Sequence, residues 1–507
     1  MNAPHAIARG LEPREWRRLP VGGEWVVPSG SAVLEVHDPA TLSLVGSVPV
    51  AERRDVGLAV VAARQAFDQG PWPRSSLEAR IEAVGRLLVA LSERRDDLVR
   101  LIVSETGLPT GGTQLSGTGA SQVDGAIELI RASIETAQRY PFCQETTGRG
   151  GRALVVSEPV GVVVAIVPWN GPLWSALMKI VPAVLAGCTV IVKPSPLAPL
   201  DAMVLAECAM EADLPPGVLN VVQGDREVGE ALVGDPGVDK VSFTGSTAVG
   251  REVARLCAAN LTRVNLELGG KSAAVVLDDA DLDAALPILL CGGLDNNGES
   301  CTALTRIVVS RSRAAELHER LRASVGALRI GDPFDPAVDV GPLITETQRS
   351  RAEAAIAGAL GEGARVLVGG GRPREPEGGW YLEPTVLADV RNAMAAARDE
   401  IFAPVLSVIE CGSDAEAVDV ANDSPYGLSG AVFSADPERA LAVCRQVRTG
   451  TLNINGFTIN IDAPLGGFKQ SGVGREYGVW GLREFVELKT INLLDAADSL
   501  GGVTRRP

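Results

Sequence analysis

Between about residues 155 and 270, short apolar runs alternate with helix-like stretches, and no other feature limits the fold so strongly. The runs are "VGVVVAIV" (160–167), "CTVIVKP" (188–194), "GVLNVVQG" (217–224), "DKVSFTG" (239–245) and "RVNLELGG" (263–270). Between them lie "PLWSALMKIVPAVLAG", opened by Pro172 and closed by Gly187, then "PLDAMVLAECAMEADLP", "EVGEALVGD" and "TAVGREVARLCAAN". Runs that are apolar on both faces and separated by helices predict a parallel sheet covered on both sides. This is a doubly wound unit of the nucleotide-binding kind.

A second α/β alternation starts near Ser272 with "AAVVLDD", "TRIVVSRS", "ARVLVGGG" and "TLNING", and defines a second domain. Upstream, residues 55–105 read as two amphipathic helices. The 331–341 and 369–379 segments are turn-rich loops, and "VELKTINLL" reads as a late strand. Pro159 to Met178 carries no charge over twenty residues. Its prolines, with Asn170 and Gly171, break it into strand, turn and helix rather than a membrane span.

The net charge of −16 argues against nucleic acid or an anionic membrane as partner. Eight scattered cysteines without a C-x-x-C pair, and only three histidines, offer no usual zinc spacing, and no metal is expected. A general base must then be a carboxylate or a lysine, unless an isolated histidine serves. The N-terminus lacks a signal-peptide core, so the expected setting is cytoplasmic, with reduced thiols.

Four local features could carry chemistry. Asn170 in "VPWNGP" follows a buried strand, where it either closes a turn or donates to an oxyanion. Gly245, Ser246 and Gly250 in "FTGSTAVG" stand at a strand-to-helix junction, suited to a phosphate or to a plain cap. Glu267 in "LELGGKS" lies between leucines, which would raise its pKa towards that of a working base, unless it faces solvent from an edge strand. Cys301 in "NNGESC" sits on a loop expected at a helix start, whose N–H groups could activate it, unless it is a small, buried and inert thiol like most free cysteines. The other seven cysteines lie in apolar runs or in the loop near 143.

Together, in this order and spacing, these stretches resemble the aldehyde dehydrogenase superfamily of the non-phosphorylating type. "VKPS" with Lys193, "EIFAPV" (400–405), "NDSPYGLSGAVF" (422–433) and "PLGGFKQSGVGREYG" (464–478) extend the likeness over about residues 20 to 495. It implies an α/β chain of three parts. A Rossmann-like cofactor domain would span 1–140 and 160–268, an α/β catalytic domain 269–465, and a small β oligomerisation arm 141–159 and 485–497. Homodimers or homotetramers are implied.

The resemblance also implies residue roles. Cys301 attacks the aldehyde carbon, Asn170 and the Cys301 N–H hold the oxyanion, hydride passes to the nicotinamide, and Glu267 activates the water that hydrolyses the thioester. Lys193 would bind an adenosine-ribose hydroxyl and Ser246 the pyrophosphate, with Gly229 and Val249 near the adenosine half. Glu400 would hold the nicotinamide ribose, with Phe402 beside the ring. Ile166, Pro168, Trp169, Phe243, Gly245, Leu268 and Gly269 complete the cofactor set. Gly171, Trp174, Met178, Asp295, Ser300, Thr302, Ile459 and Leu465 would wall the substrate tunnel. Their small or aliphatic character suggests a bulky hydrophobic aldehyde, aromatic, terpenoid-like or long-chain, while Asp295 could instead recognise a hydroxyl or amine.

Three positions depart from the family pattern. Pro196 stands where a ribose-binding glutamate is usual, so NAD is the expected cofactor and NADP the alternative. Ala403 replaces a usual glycine. Glu299 replaces a usual glutamine. Its carboxylate either raises the pKa of the neighbouring thiol or points away into the backbone. The rival functions are a CoA-acylating aldehyde dehydrogenase, which typically lacks the hydrolytic glutamate, and a non-catalytic binding protein on the same fold.

Overall fold

The computed structural model describes Gly10 and residues 12–493. Its first sheet runs in the order Leu219–Val221, Thr189–Lys193, Val162–Ile166, Lys240–Thr244, Arg263–Glu267 and Gly472–Val473. The first five strands are parallel and the last is antiparallel. The strand sequences explain the two covered faces. Val163, Ala165, Val190 and Val192 face one core, with helices Leu77–Glu93, Arg95–Thr106, Gly119–Arg139, Pro172–Ala186 and Leu200–Glu211. Val162, Val164, Ile166 and Val241 face the other, with helices Arg53–Asp68, Arg226–Val233 and Thr247–Asn260. Alternate residues serve opposite cores, as the pleat requires. Each such buried valine contributes about 1.5–3 kcal/mol.

The charge-free stretch from Pro159 becomes strand, turn and helix. The helix Pro172–Ala186 is buried nearly throughout and ends on Gly187, left-handed at φ 100°. Among the described residues, no helix is long and apolar enough to cross a membrane.

The second sheet has seven strands: Arg365–Val368, Thr385–Ala388, Val405–Cys411, Arg306–Ser310, Ala273–Val276, Gly430–Phe433 and Asn453–Ile454. All neighbours are parallel except the first pair. A third sheet pairs Cys143–Gly148, Gly151–Pro159 and Val486–Leu493 antiparallel, along the expected arm. The part of that arm beyond Leu493 lies outside the described residues.

The structure differs from the sequence reading in several elements. Residues 53–106 form three helices rather than two, because Arg94 ends one and caps the next. Helix Gly119–Arg139, strands Thr385–Ala388 and Val405–Cys411, and the small N-terminal sheets have no counterpart in the reading. The segment 466–484, left without a domain, supplies the edge strand Gly472–Val473 of the first sheet. It also supplies helix Gly478–Arg483, which packs on Gly119–Arg139.

Candidate active site

The parallel strands of the first sheet end together. Lys193 is the register partner of Ile166, Ile166 of Phe243, and Thr244 of Glu267. Carboxyl ends of such strands open onto the ligand crevice. Here they open onto a cleft of about 360 Å³ whose lining includes Pro168, Trp169, Asn170, Gly245, Ser246, Glu267, Leu268, Gly269, Cys301, Glu400 and Phe402. Residues 232 positions apart in the chain, Asn170 and Phe402 for example, thus share one wall. Ile166 and Phe243 lie buried behind it.

The loop before Cys301 is built by three consecutive left-handed residues, Asn296 (φ 61°), Asn297 (φ 55°) and Gly298 (φ 72°). Such a run is costly unless its surroundings fix it. Asn297 does so by donating to the Gly107 and Pro342 carbonyls at 3.1 and 3.0 Å and accepting from the Gly341 N–H at 2.8 Å. A side chain at Gly298 would strike the Ala403–Pro404 backbone. No helix starts at Cys301. The preceding helix, Leu282–Leu294, ends before the loop, so the thiol has no helix N-terminus to activate it. Burial, with the carboxyls of Glu400 and Glu267, pushes the half-buried Cys301 thiol up to about 12. It rests as the thiol and needs a base to react.

Glu267 can be that base. It is 5% exposed and its Oε1 has no hydrogen-bond partner. Burial, then the neighbouring Glu476, hold its carboxyl well above the usual range, while Lys179 and Arg475 pull it down. Asn170 donates from Nδ2 to the Glu299 carbonyl at 2.9 Å, which leaves its second N–H uncommitted.

Glu299 itself points away from the thiol. It is 1% exposed and accepts from the Ile344 N–H at 3.3 Å, and burial holds its carboxyl well above the usual range. Of the two orientations open in the sequence, the side chain takes the one into the backbone.

Further along the cleft, Glu400 accepts from the Gly270 N–H at 2.9 Å, and burial pushes its carboxyl up to about 7. A Cβ on Gly269 would come within 2.2 Å of Glu400 Oε2, so a side chain there would displace the Glu400 carboxyl. Phe402 is left-handed (φ 57°) and meets Trp169 edge to face at 5.4 Å. Gln348 holds its carbonyl at 2.6 Å. Gly245 lies over the Phe243 ring, where a Cβ would approach to 2.6 Å. Ser246 caps helix Thr247–Asn260, accepting from the N–H of Val249, which is 50% exposed. Lys193 is buried beside Gly229, donates to the Pro194 carbonyl at 3.1 Å, and is lowered to about 8 by burial.

The expected tunnel residues are less tightly grouped. Trp174 donates to the Tyr477 hydroxyl at 2.6 Å, and Met178 and Tyr477 border a small cavity of about 20 Å³. Leu465 pairs through its backbone with Glu476, and the Ser300 and Thr302 hydroxyls lie 3.1 Å apart. Gly171 is half-buried and Ile459 is 40% exposed. Asp295 is engaged: its carboxylate accepts from the Ser116 N–H at 3.0 Å and hydroxyl at 2.9 Å.

The sequence reading names no role for Lys179, Glu476, Tyr477, Gln122 or Asn296. Glu476 and Tyr477 lie inside a quoted motif, and Asn296 opens the hexapeptide that ends in Cys301. Gln122 had no local signal, since its partners lie far away in the chain.

The cleft at the carboxyl ends of a parallel sheet is the setting of a dinucleotide-dependent oxidoreductase, and comparison with known proteins gives the family. The model of the "Aldehyde dehydrogenase family" matches residues 25–491. The chain belongs to the aldehyde dehydrogenase family and is an NAD(P)-dependent aldehyde dehydrogenase. It is similar to a geranial dehydrogenase of Castellaniella defragrans, 42% identical over 94% of this chain and 98% of the relative. It also resembles a Mycobacterium tuberculosis aldehyde dehydrogenase solved with NAD+, with a TM-score of 0.92 and 43% identity, covering 95% of this chain and 99% of that one. A third likeness is a Pseudomonas syringae aldehyde dehydrogenase C variant solved with NAD+ and octanal. Its TM-score is 0.89 at 38% identity, covering 96% of this chain and 97% of that one.

Proposed function

We propose that the chain oxidises a bulky, apolar aldehyde to its carboxylic acid through a covalent intermediate on Cys301. The observation that carries this reading is the convergence of Cys301, Asn170 and Glu267 on one cleft. The Cys301 sulfur bonds the aldehyde carbon as its proton passes to ionised Glu267. The carbonyl oxygen becomes an oxyanion held by the free Asn170 N–H and the Cys301 backbone N–H. A nicotinamide held in the cleft would take up the hydride lost from the aldehyde carbon as the thiohemiacetal becomes a thioester. Once it has passed that first proton on, Glu267 takes a proton from the water that attacks the thioester carbon. The acid departs and the sulfur regains its proton. Glu476 and Lys179, behind Glu267, can pass the proton onward.

The residues present fit a nicotinamide dinucleotide. The glycines at 245 and 269 let the Phe243 ring and the Glu400 carboxyl close against the backbone beside the cleft. Glu400 offers a carboxyl to a ribose, Phe402 and Trp169 offer aromatic faces, and Ser246 stands at a helix start suited to the pyrophosphate. Lys193, with Gly229 beside it, suits an adenosine ribose. NAD is the preferred cofactor, and Pro196 leaves NADP admissible.

The bulky-substrate reading rests on the aliphatic tunnel residues, on the engagement of Asp295 by Ser116, and on relatives that act on geranial or were solved with octanal. The three-stranded arm, with Leu488 58% and Ile491 44% exposed, supports a homodimer or homotetramer. The eight free cysteines accord with a reducing, cytoplasmic setting.

Aldehyde-dependent reduction of NAD and NADP, measured over a panel from acetaldehyde to terpenoid and aromatic aldehydes, tests the proposal. Cys301→Ala should abolish it, and a variant as fast as wild type would refute the mechanism. Product that forms only when CoA is added would assign the acylating reaction instead.

A further inference from the structure

We propose that Gln122 is a positioning residue for the oxyanion hole, holding Asn170 through a three-amide clamp. The inference rests on the reading of Asn170 as the oxyanion donor. Gln122 stands in the first turn of helix Gly119–Arg139, whose start is fixed by a Thr118–Ser121 capping box. Its Nε2 donates to the Asn170 carbonyl at 2.9 Å and to Asn296 Oδ1 at 2.6 Å. Asn296 Nδ2 donates in turn to the same Asn170 carbonyl and to the Glu299 carbonyl, both at 2.9 Å. Asn170 Nδ2 closes the ring on that Glu299 carbonyl at 2.9 Å.

The chemistry fixes each amide's orientation. Asn296 faces two carbonyl oxygens with one end, so that end is its nitrogen. Its oxygen therefore faces Gln122, which must present its own nitrogen. The clamp joins the strand-end turn that carries Asn170 to the left-handed loop that carries Cys301. It fixes the donor from a third element, against the loop that carries the nucleophile. Without Gln122, the Asn170 carbonyl keeps only Asn296, and the oxygen end of Asn296 loses its anchor. The Asn170 N–H would then wander from the place where the oxyanion forms. Small displacements of such donors cost disproportionately in rate. The Gln122 oxygen has no partner of its own and lies against Gly171.

The test uses Gln122→Met, which keeps the bulk and removes the donor, with Asn170→Ala and the double variant. kcat/KM for an apolar aldehyde should fall about tenfold in Gln122→Met and about 10²–10³-fold in Asn170→Ala. Cofactor-independent hydrolysis of p-nitrophenyl acetate should fall in parallel, because it needs the same oxyanion hole. NAD affinity and melting temperature should stay unchanged. The double variant should be no slower than Asn170→Ala, because the clamp acts only through that donor. Gln122→Met within about twofold of wild type, or losses that add in the double variant, would overturn the inference. Wild-type activity in Asn170→Ala would overturn the oxyanion reading and the clamp with it. A loss confined to Gln122→Met melting temperature would mark a purely structural residue and refute the proposal.

Discussion

Lys179 forms a buried ion pair with Glu476 beside Glu267, the base proposed above, and the two side chains are 0% and 4% exposed. Glu476 keeps one carboxylate oxygen without a partner, and Asn265 approaches the other at 3.5 Å. The pair therefore acts on Glu267 with two opposed charges. Glu476 raises its carboxyl and Lys179 lowers it.

Glu476→Gln should move the ascending limb of the pH–rate profile to lower pH. Removing the negative charge takes away a raising influence and leaves Lys179 uncompensated, so Glu267 ionises earlier. The expected displacement is about one pH unit. The buried Lys179 loses its partner, so unfolding free energy should also fall, by about 3–5 kcal/mol. Rate profiles and denaturant titrations read the two effects separately. A limb that stays in place or moves to higher pH would show that Glu476 does not tune the base.

Glu299→Gln should leave the pH–rate profile in place, because the carboxyl points to Ile344 N–H and not to the thiol. Its effect should appear in stability. The folded-state pKa of Glu299 is raised, so the folded chain keeps a proton that the unfolded chain releases above about pH 4.3. Wild-type stability is thus full below that value and falls as pH rises towards the folded-state pKa. The variant lacks this loss. The melting-temperature difference, variant minus wild type, should widen with pH at a slope equivalent to about 1.4 kcal/mol per unit. A constant difference, or a displaced rate profile, would contradict the orientation.

Pro196→Glu should sharpen the preference for NAD. A carboxylate there could bond a free ribose hydroxyl and would repel a 2′-phosphate near Lys193. The ratio of kcat/KM for NAD over NADP should rise about tenfold or more. An unchanged ratio would place the adenosine ribose elsewhere.

Gly171→Phe should narrow the tunnel. The nearest atoms to a Cβ there are Gln122 Oε1 and Ser175 Oγ, both at 3.7 Å, so the backbone accepts a side chain. Activity on terpenoid or long-chain aldehydes should fall about tenfold, while acetaldehyde turnover changes little. Equal losses on both would mean that residue 171 does not face the substrate.

The parallel strands of the first sheet were legible in the sequence because each is a short, continuously apolar run between helices, and Gly187 closed its helix as its position implied. Cys301, Glu267 and Asn170, which line one cleft, each lie in a motif that stands out in the sequence. Their meeting was not legible, since Asn170 and Glu299 are 129 positions apart and nothing local encodes that bond. Val405–Cys411 went unread, although it is as apolar as the others, because the preceding residues 400–405 drew the reading as a motif. Lys179 looked only like the end of an apolar stretch. Its partner Glu476 arrives from the far end of the chain, and only the folded structure shows a buried charge that is matched. The Cys301 helix start failed for a related reason: "NNGESC" carries cap-like residues, but they close a left-handed loop instead.

Glu267 ends a strand whose outer neighbour is Gly472–Val473, through the register Glu267↔Gly472. The strand that flanks the base is therefore translated long after the base itself. A nascent chain that has already exposed Asn170, Glu267 and Cys301 still lacks that edge and the Glu476 behind it. Until residues 472–476 have joined it, Glu267 has neither its outer strand partner nor the neighbouring charge that raises its carboxyl.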